Sequence, residues 1–161
     1  MKAKYLILDV DGTLTDGKIY MGENGELFKA FDIKDGCAIH DIFPMNGGTV
    51  IVITARESRI VEKRCKELNV KFLYQGVRNK EKKLHDLAGL FEWQKSETGF
   101  YSDVAYMGDD IIDLPIMKLC EIKAAPLNAA AEVLKIADFI SSKNGGDGAV
   151  REFVEYLCKS N

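Results

Sequence analysis

Two carboxylates, Asp9 and Asp11, stand two residues apart where the apolar run Tyr5-Leu6-Ile7-Leu8 gives way to Gly12 and Thr13. On an extended chain, residues two apart share a face, so both carboxylates aim at one spot. Gly12 lets the backbone turn where a phosphate would approach. Anions this close repel unless a cation joins them, and for hard oxygen donors the natural cation is a divalent ion such as Mg²⁺. Paired carboxylates beside a metal suit phosphoryl transfer, in which positioning and charge stabilisation supply most of the catalysis. Taken alone, Asp9-Val10-Asp11-Gly12 reads equally well as an Asx turn that ends a buried strand.

Three further polar groups follow in order, each just past an expected strand. Thr54 ends Thr49-Val50-Ile51-Val52-Ile53, and Lys80 opens a helical pattern after Lys71-Phe72-Leu73-Tyr74. Gly108-Asp109-Asp110-Ile111-Ile112-Asp113 follows Val104-Ala105-Tyr106-Met107. In a parallel α/β sheet, ligands bind beyond the carboxyl ends of the strands, so groups far apart in sequence meet in one crevice. Each alone has an ordinary explanation as a cap, a solvated lysine or a turn; the ordered set does not.

The elements that must hold them alternate strand and helix, the pattern of βαβ units. After the first strand, Lys18-Ile19-Tyr20-Met21 and Glu26-Leu27-Phe28-Lys29-Ala30-Phe31 flank Gly22-Glu23-Asn24-Gly25, a β-hairpin within residues 14–32. Helices are expected over 35–45, 57–68 (Ile60, Val61 and Leu68 inward) and 80–91, with a polar loop over 92–102. Pro115 belongs in the first turn of the next helix, where its missing N–H costs little. Short strands at 121–125 and 138–141 bracket a helix at 129–137, and Gly145-Gly146-Asp147-Gly148 releases a last helix over 149–158. The expected fold class is α/β: a Rossmann-like, mainly parallel sheet flanked by helices, with a hairpin after the first strand.

A chain of 161 residues, 47% hydrophobic and 29% charged, fits one domain with a single core, residues 1–161. A net charge of −3 argues against nucleic acid as a partner. No apolar run approaches the roughly 18 residues that cross a bilayer, and the N-terminus lacks a signal-peptide pattern; the expectation is a cytoplasmic protein without a membrane partner. Cys37, Cys65, Cys120 and Cys158 are scattered without metal-ligand spacing and read as reduced thiols.

With these elements in place, the chain resembles the haloacid dehalogenase-like phosphatase superfamily over essentially its whole length. The family's four ordered motifs match Asp9/Asp11, Thr54, Lys80 and Asp109/Asp113. The resemblance implies that Asp9 is the nucleophile, forming an aspartyl-phosphate, and that Asp11 protonates the leaving group and then deprotonates water. Thr54 and Lys80 would stabilise the transferring group, and Gly12 and Thr13 would lie against it. Mg²⁺ would be held by Asp9, Asp109 and the main-chain carbonyl of Asp11, with Asp110 and Asp113 as direct or water-mediated partners.

Many relatives carry a cap domain inserted between these motifs. Thr54 follows Asp9 by 45 positions and Lys80 follows Thr54 by 26, room for the hairpin and ordinary elements but no cap. The resemblance therefore narrows to the capless phosphatases of 3-deoxy-D-manno-octulosonate 8-phosphate (KDO 8-phosphate), a lipopolysaccharide precursor, and related sugar-acid phosphates. The matching words are Asp9-Val-Asp-Gly-Thr-Leu-Thr-Asp-Gly17, Phe31-Asp-Ile-Lys-Asp-Gly36, Thr54-Ala-Arg-Glu-Ser58 and Gln75-Gly-Val-Arg-Asn-Lys80. Gly108-Asp-Asp-Ile-Ile-Asp-Leu-Pro115 and Gly145-Gly-Asp-Gly-Ala-Val-Arg-Glu152 complete them.

Departures from the pattern are Ala55 for a usual glycine, Cys37-Ala38 for a glycine-containing pair, and an end nine residues after Glu152. Relatives acting on the nine-carbon KDN 9-phosphate carry Glu at position 56 with an Arg and a Lys that match Arg64 and Glu67; with Arg56 and Glu67 here, the eight-carbon substrate is favoured. Arg56, Arg64 and Arg151 are the cations expected to bind substrate. An apolar hairpin on a capless chain implies a subunit contact, and the resemblance points to a homotetramer with shared active sites. Alternatives from other classes are a phospho-accepting receiver module, which has no need of Asp11 as acid and base, and a catalytically idle scaffold.

Overall fold

The computed structural model describes residues 1–159; the last two residues of the tail noted above lie outside the described residues. Strand β1 (Tyr5–Leu8) is apolar on both sides because it runs through the middle of a six-stranded sheet. The other strands are β4 (Thr49–Ile53), β5 (Phe72–Tyr74), β6 (Tyr101–Met107), β7 (Cys120–Ala125) and β8 (Phe139–Ile140). The sheet order is β5-β4-β1-β6-β7-β8, and every neighbouring pair is parallel.

Side chains alternate across this sheet and build a core on each face. Leu6, Leu8, Val50, Val52, Ala105 and Met107 face one way and pack under helices α1 (residues 33–45), α2 (Arg59–Glu67) and α6 (Ala149–Cys158). Ile7, Ile51, Ile53, Val104 and Tyr106 face the other way, under α3 (Lys80–Leu90), α4 (residues 111–117) and α5 (Ala131–Ile136). The chain winds from β1 out to β5, then crosses back to β6 on the other side of β1. The strand order therefore reverses next to β1, where α/β sheets open a crevice for ligands.

Several boundaries depart from the expected ones. Helix α1 starts at Ile33 because Asp32 caps it, its side chain accepting from Lys34 N and Asp35 N, and its middle, Ala38–Ile42, is π-helical. The expected polar loop over 92–102 is a tight turn whose ends are apolar: Trp93 and Tyr101 are buried, and Tyr5, Phe91 and Trp93 lie with ring centroids 4.9–5.4 Å apart. Strand β6 thus begins at Tyr101 rather than Val104. Here the polar residues between Gln94 and Gly99 mask aromatic anchors on either side.

Between β1 and α1, β2 (Tyr20–Gly22) and β3 (Gly25–Phe28) form the antiparallel hairpin, with Tyr20 stacked on Phe28 at 4.3 Å. Its outer surface is apolar, with Met21, Leu27 and Phe28 each more than half exposed. Among the described residues, no helix is long and apolar enough to cross a membrane, and all four cysteines are free thiols.

Candidate active site

Register brings the four polar groups together. Leu8 pairs with Val52 on one side and Met107 on the other, so Asp9 stands level with Ile53 and Gly108, and Thr54 and Asp109 come one residue later. Thr54 N donates to Tyr74 O at 3.0 Å, which ties this end of β4 to β5. Lys80, the first residue of α3, arrives from beyond β5 with its helix N-terminus capped by Asn79, whose side chain accepts from Lys82 N. Asp9, Asp11, Thr54, Arg56, Asp109 and Asp110 line one crevice of about 250 Å³.

Its floor is a buried ion cluster. The Lys80 ammonium lies 2.7 Å from Asp9 Oδ1 and 2.6 Å from Asp113 Oδ1. The Tyr106 hydroxyl, 3.2 Å from Lys80 Nζ, donates to the same Asp113 oxygen at 2.6 Å. Asp113 Oδ2 accepts from the backbone N–H groups of Asp109 (3.0 Å) and Asp110 (3.1 Å). Burial opposes the charge on Lys80, but the Asp9 and Asp113 carboxylates outweigh it and hold the ammonium above its ordinary pKa. The lysine is therefore a fixed cation.

The carboxylates beside it are short of positive charge. Burial, more than any neighbour, pushes the Asp9 carboxyl above the usual carboxylate range despite Lys80. Asp109 is pushed up to about 7 by burial and by the negative charges of Asp9 and Asp113. A raised pKa on carboxylates this close to one another marks negative charge that a bound cation would offset. Oxygens of Asp9, Asp109 and Asp113 all lie within 4.8 Å of one another, an all-oxygen set that suits Mg²⁺.

Within that set the three differ. Asp113 already accepts from four donors, about the capacity of a carboxylate, so it orients the Asp109 loop and Lys80. Asp110 also lines the crevice, but its side chain accepts from Ile111 N at 2.7 Å and caps α4. Asp9 and Asp109 keep free oxygens for an ion.

The loop after β1 is shaped around Asp109. Gly12 sits at φ +94°, and a Cβ there would fall 2.0 Å from Asp109 Oδ2, so the space that glycine opens is filled by this carboxylate. Thr13, fully buried, donates to Asp109 Oδ1 at 3.3 Å. The Thr54 hydroxyl accepts weakly from Arg56 N at 3.4 Å, which leaves its proton for the crevice.

Of the three expected substrate cations, the structure brings Arg56 alone to this crevice. Arg64 lies on α2 against Glu67, at 2.9 Å, and over the Phe31 ring. Arg151 pairs with Glu155 on α6 at 2.6 Å. Neither lines the crevice of its own chain, because helical position alone does not reveal which face a long side chain takes.

Two contributors lay outside the sequence reading. Tyr106 sits in a run that reads as plain core; the signal was available, because a buried tyrosine hydroxyl needs a partner. Lys29, on the hairpin, reads as a solvated lysine but touches Asp11 with its side chain 2% exposed.

The chain is similar to known proteins over most of its length. Residues 77–153 match the family model of haloacid dehalogenase-like hydrolases. The chain is 41% identical over 154 residues to the 3-deoxy-D-manno-octulosonate 8-phosphate phosphatase KdsC of Salmonella typhi, covering 96% of this chain and 78% of that protein. It is similar to the crystal structure of the corresponding phosphatase from Yersinia pestis, with a TM-score of 0.89 and 36% identity over 97% of this chain and 80% of that one. It is similar also to the Moraxella catarrhalis phosphatase in complex with magnesium ion, phosphate ion and KDO. There the TM-score is 0.88 and the identity 32%, over 97% of this chain and 86% of that one.

Proposed function

The chain belongs to the haloacid dehalogenase-like superfamily, in its capless family of KDO 8-phosphate phosphatases, and from that premise we propose that it hydrolyses KDO 8-phosphate to KDO and phosphate with Mg²⁺. The observation that carries this reading is the crevice at the strand ends, where Asp9, Asp11, Thr54 and Asp109 surround one opening and Lys80 neutralises its floor. The reading takes residues 1–161 as one phosphatase domain. A phosphorylated sugar acid does not cross membranes unaided, so its hydrolase works in the cytoplasm, in the supply of lipopolysaccharide precursors.

Each residue has a distinct task. Asp9 and Asp109, with the main-chain carbonyl of Asp11, would hold Mg²⁺, and Asp113 and Asp110 keep the second loop in place around them. The bound ion supplies charge that lets a carboxylate approach a phosphate dianion. An Asp9 oxygen attacks phosphorus while Asp11 gives its proton to the departing sugar oxygen, leaving an aspartyl-phosphate. Asp11 then takes a proton from water as the water oxygen bonds phosphorus and the bond to Asp9 breaks. Thr54 donates its hydroxyl to a phosphoryl oxygen, and Lys80 holds Asp9 while offsetting the charge that develops. Gly12 and Thr13 shape the loop that faces the phosphate. Arg56, 42% exposed at the rim and held by a long 3.5 Å contact to Glu26, would turn from that carboxylate to take the sugar carboxylate. Arg64 and Arg151 would serve substrate only across a boundary between copies, in keeping with a homotetramer that shares its sites.

A panel of sugar-acid phosphates ranked by kcat/KM with Mg²⁺ tests this. KDO 8-phosphate is expected to lead, chelation of the metal to abolish turnover, and Asp9→Asn to lose at least about 1,000-fold in kcat. A higher kcat/KM for KDN 9-phosphate would overturn the substrate assignment, and near-normal turnover by Asp9→Asn would overturn the covalent mechanism.

A further inference from the structure

One cation of the hairpin reaches the reaction crevice. Lys29 follows β3, and its ammonium hydrogen-bonds Asp11 Oδ1 and lies 2.9 Å from Glu26 Oε1. A lysine on an exposed hairpin ordinarily keeps its ammonium in water; this side chain is 2% exposed and lies between two carboxylates. Glu26 is held in turn by Ser58, whose Oγ donates to its Oε2 at 2.6 Å, and by Arg56 at 3.5 Å from Oε1. Ser58 is itself fixed as the N-cap of α2, accepting from Ile60 N at 3.2 Å, while its own N–H donates to Gln75 Oε1 at 2.9 Å. A chain of contacts thus runs from the start of α2, through the hairpin, to Asp11.

Among the described residues, Lys29 is the one side chain that hydrogen-bonds the Asp11 carboxylate. We propose that Lys29 is a positioning residue for Asp11: it anchors Oδ1 so that Oδ2 is the oxygen that carries the proton to the leaving sugar oxygen and later accepts one from water. Lys29 keeps its own protons throughout, and Glu26 keeps Lys29 in place. The inference rests on the reading of Asp11 as acid and base given above. It differs from a simple tether between hairpin and body in one respect. A tether would affect both half-reactions alike, or neither, whereas a misplaced Asp11 fails wherever a proton must move.

p-Nitrophenyl phosphate separates the two. Its leaving group needs no proton, so formation of the aspartyl-phosphate proceeds without Asp11, while hydrolysis of that intermediate still needs a base. The Mg²⁺-loaded protein and its Lys29→Met, Lys29→Arg and Glu26→Gln variants would be compared on KDO 8-phosphate in the steady state and on p-nitrophenyl phosphate by rapid mixing. For Lys29→Met, kcat on KDO 8-phosphate is expected to fall about 100-fold with little change in KM. On the aryl phosphate it is expected to release a burst of nitrophenolate near one per active site, followed by a slow steady state. Lys29→Arg should recover most of kcat, and Glu26→Gln should fall between.

Wild-type kcat in Lys29→Met, or a loss of first turnover and steady state in equal measure, would overturn the inference. If Lys29→Met does not fold, Glu26→Gln carries the same readout, since it weakens the hold on Lys29 while keeping an acceptor. A wild-type protein that hydrolyses neither substrate with Mg²⁺ would refute the phosphatase reading, and this inference with it. That failure is recognised without any variant.

Discussion

At Gly12 a hydrogen stands where any other residue would place a carbon 2.0 Å from Asp109 Oδ2. The two loops that would hold the metal therefore close on each other only because position 12 has no side chain, and its φ of +94° adds a second demand for glycine. Gly12→Ala is expected to push the Asp109 carboxylate aside and to raise the Mg²⁺ concentration for half-maximal activity at least about tenfold. Much of kcat should return at saturating metal. A titration of activity against Mg²⁺ checks this, and an unchanged midpoint would show that Asp109 does not bind the ion. At this scale the gathering of Asp9, Thr54, Lys80 and Asp109 is legible in the sequence, because each is the first polar group after an apolar strand or at a helix start. Tyr106 and Lys29 are not, because a tyrosine inside a core strand and a lysine on a hairpin both have commoner explanations. Arg64 and Arg151 show the converse: their residue type suits the substrate, but their contacts keep them on α2 and α6.

Strands and helices are legible where periodicity speaks for them, and α6 matches its expected span because Gly148 marks its start and an apolar face runs from Ala149 to Leu157. The start of β6 is not, since Tyr101 belongs to an aromatic cluster assembled from Tyr5, Phe91 and Trp93, residues distant in sequence. The joint between α1 and α6 is another such tertiary feature. Asp35, 2% exposed, accepts from Arg151 N at 2.8 Å through Oδ1, while its buried Oδ2 has no hydrogen-bond partner. Burial is the main reason its carboxyl is pushed up to about 6 from 3.8, with Asp32 adding to it. The folded protein therefore binds this proton more tightly than the unfolded chain. Its contribution to stability is fully present below about 3.8 and is lost as pH rises through about 6. Asp35→Asn keeps an oxygen for Arg151 N and does not ionise. Its Tm relative to wild type is expected to climb as the pH is raised from about 4 to about 6. A difference that shrinks over that range in thermal melts would mean that the ionised carboxylate, held against the start of α6, is the favoured form.

For the whole molecule, the unresolved balance lies between an open crevice and a capless chain. A crevice of about 250 Å³ falls short of the volume that small-molecule sites ordinarily provide, and nothing is inserted between the motifs to supply a lid. The same chain leaves Met21, Leu27 and Phe28 more than half exposed on a two-stranded hairpin, a form that is marginal in water without further packing. Both deficits are met if copies associate through the hairpin and each borders its neighbour's crevice, and closed symmetry is the usual outcome of such self-contact. A homotetramer is the expected assembly. Phe28→Asp places a charge on the exposed face of β3 and removes the ring stacked on Tyr20, so it should dissociate the assembly in sedimentation velocity. If a neighbour completes the sugar site, KM for KDO 8-phosphate should rise at least about tenfold in the dissociated protein. Slow hydrolysis of p-nitrophenyl phosphate, which asks only for the Asp9 crevice, should persist. The pairing of the two substrates matters, because loss of both would mean that the hairpin supports the fold around Asp11 and not the assembly. A wild-type monomer with full activity at assay concentration would refute the shared site. Recognition of the sugar acid would then fall to Arg56 and the loops of one chain.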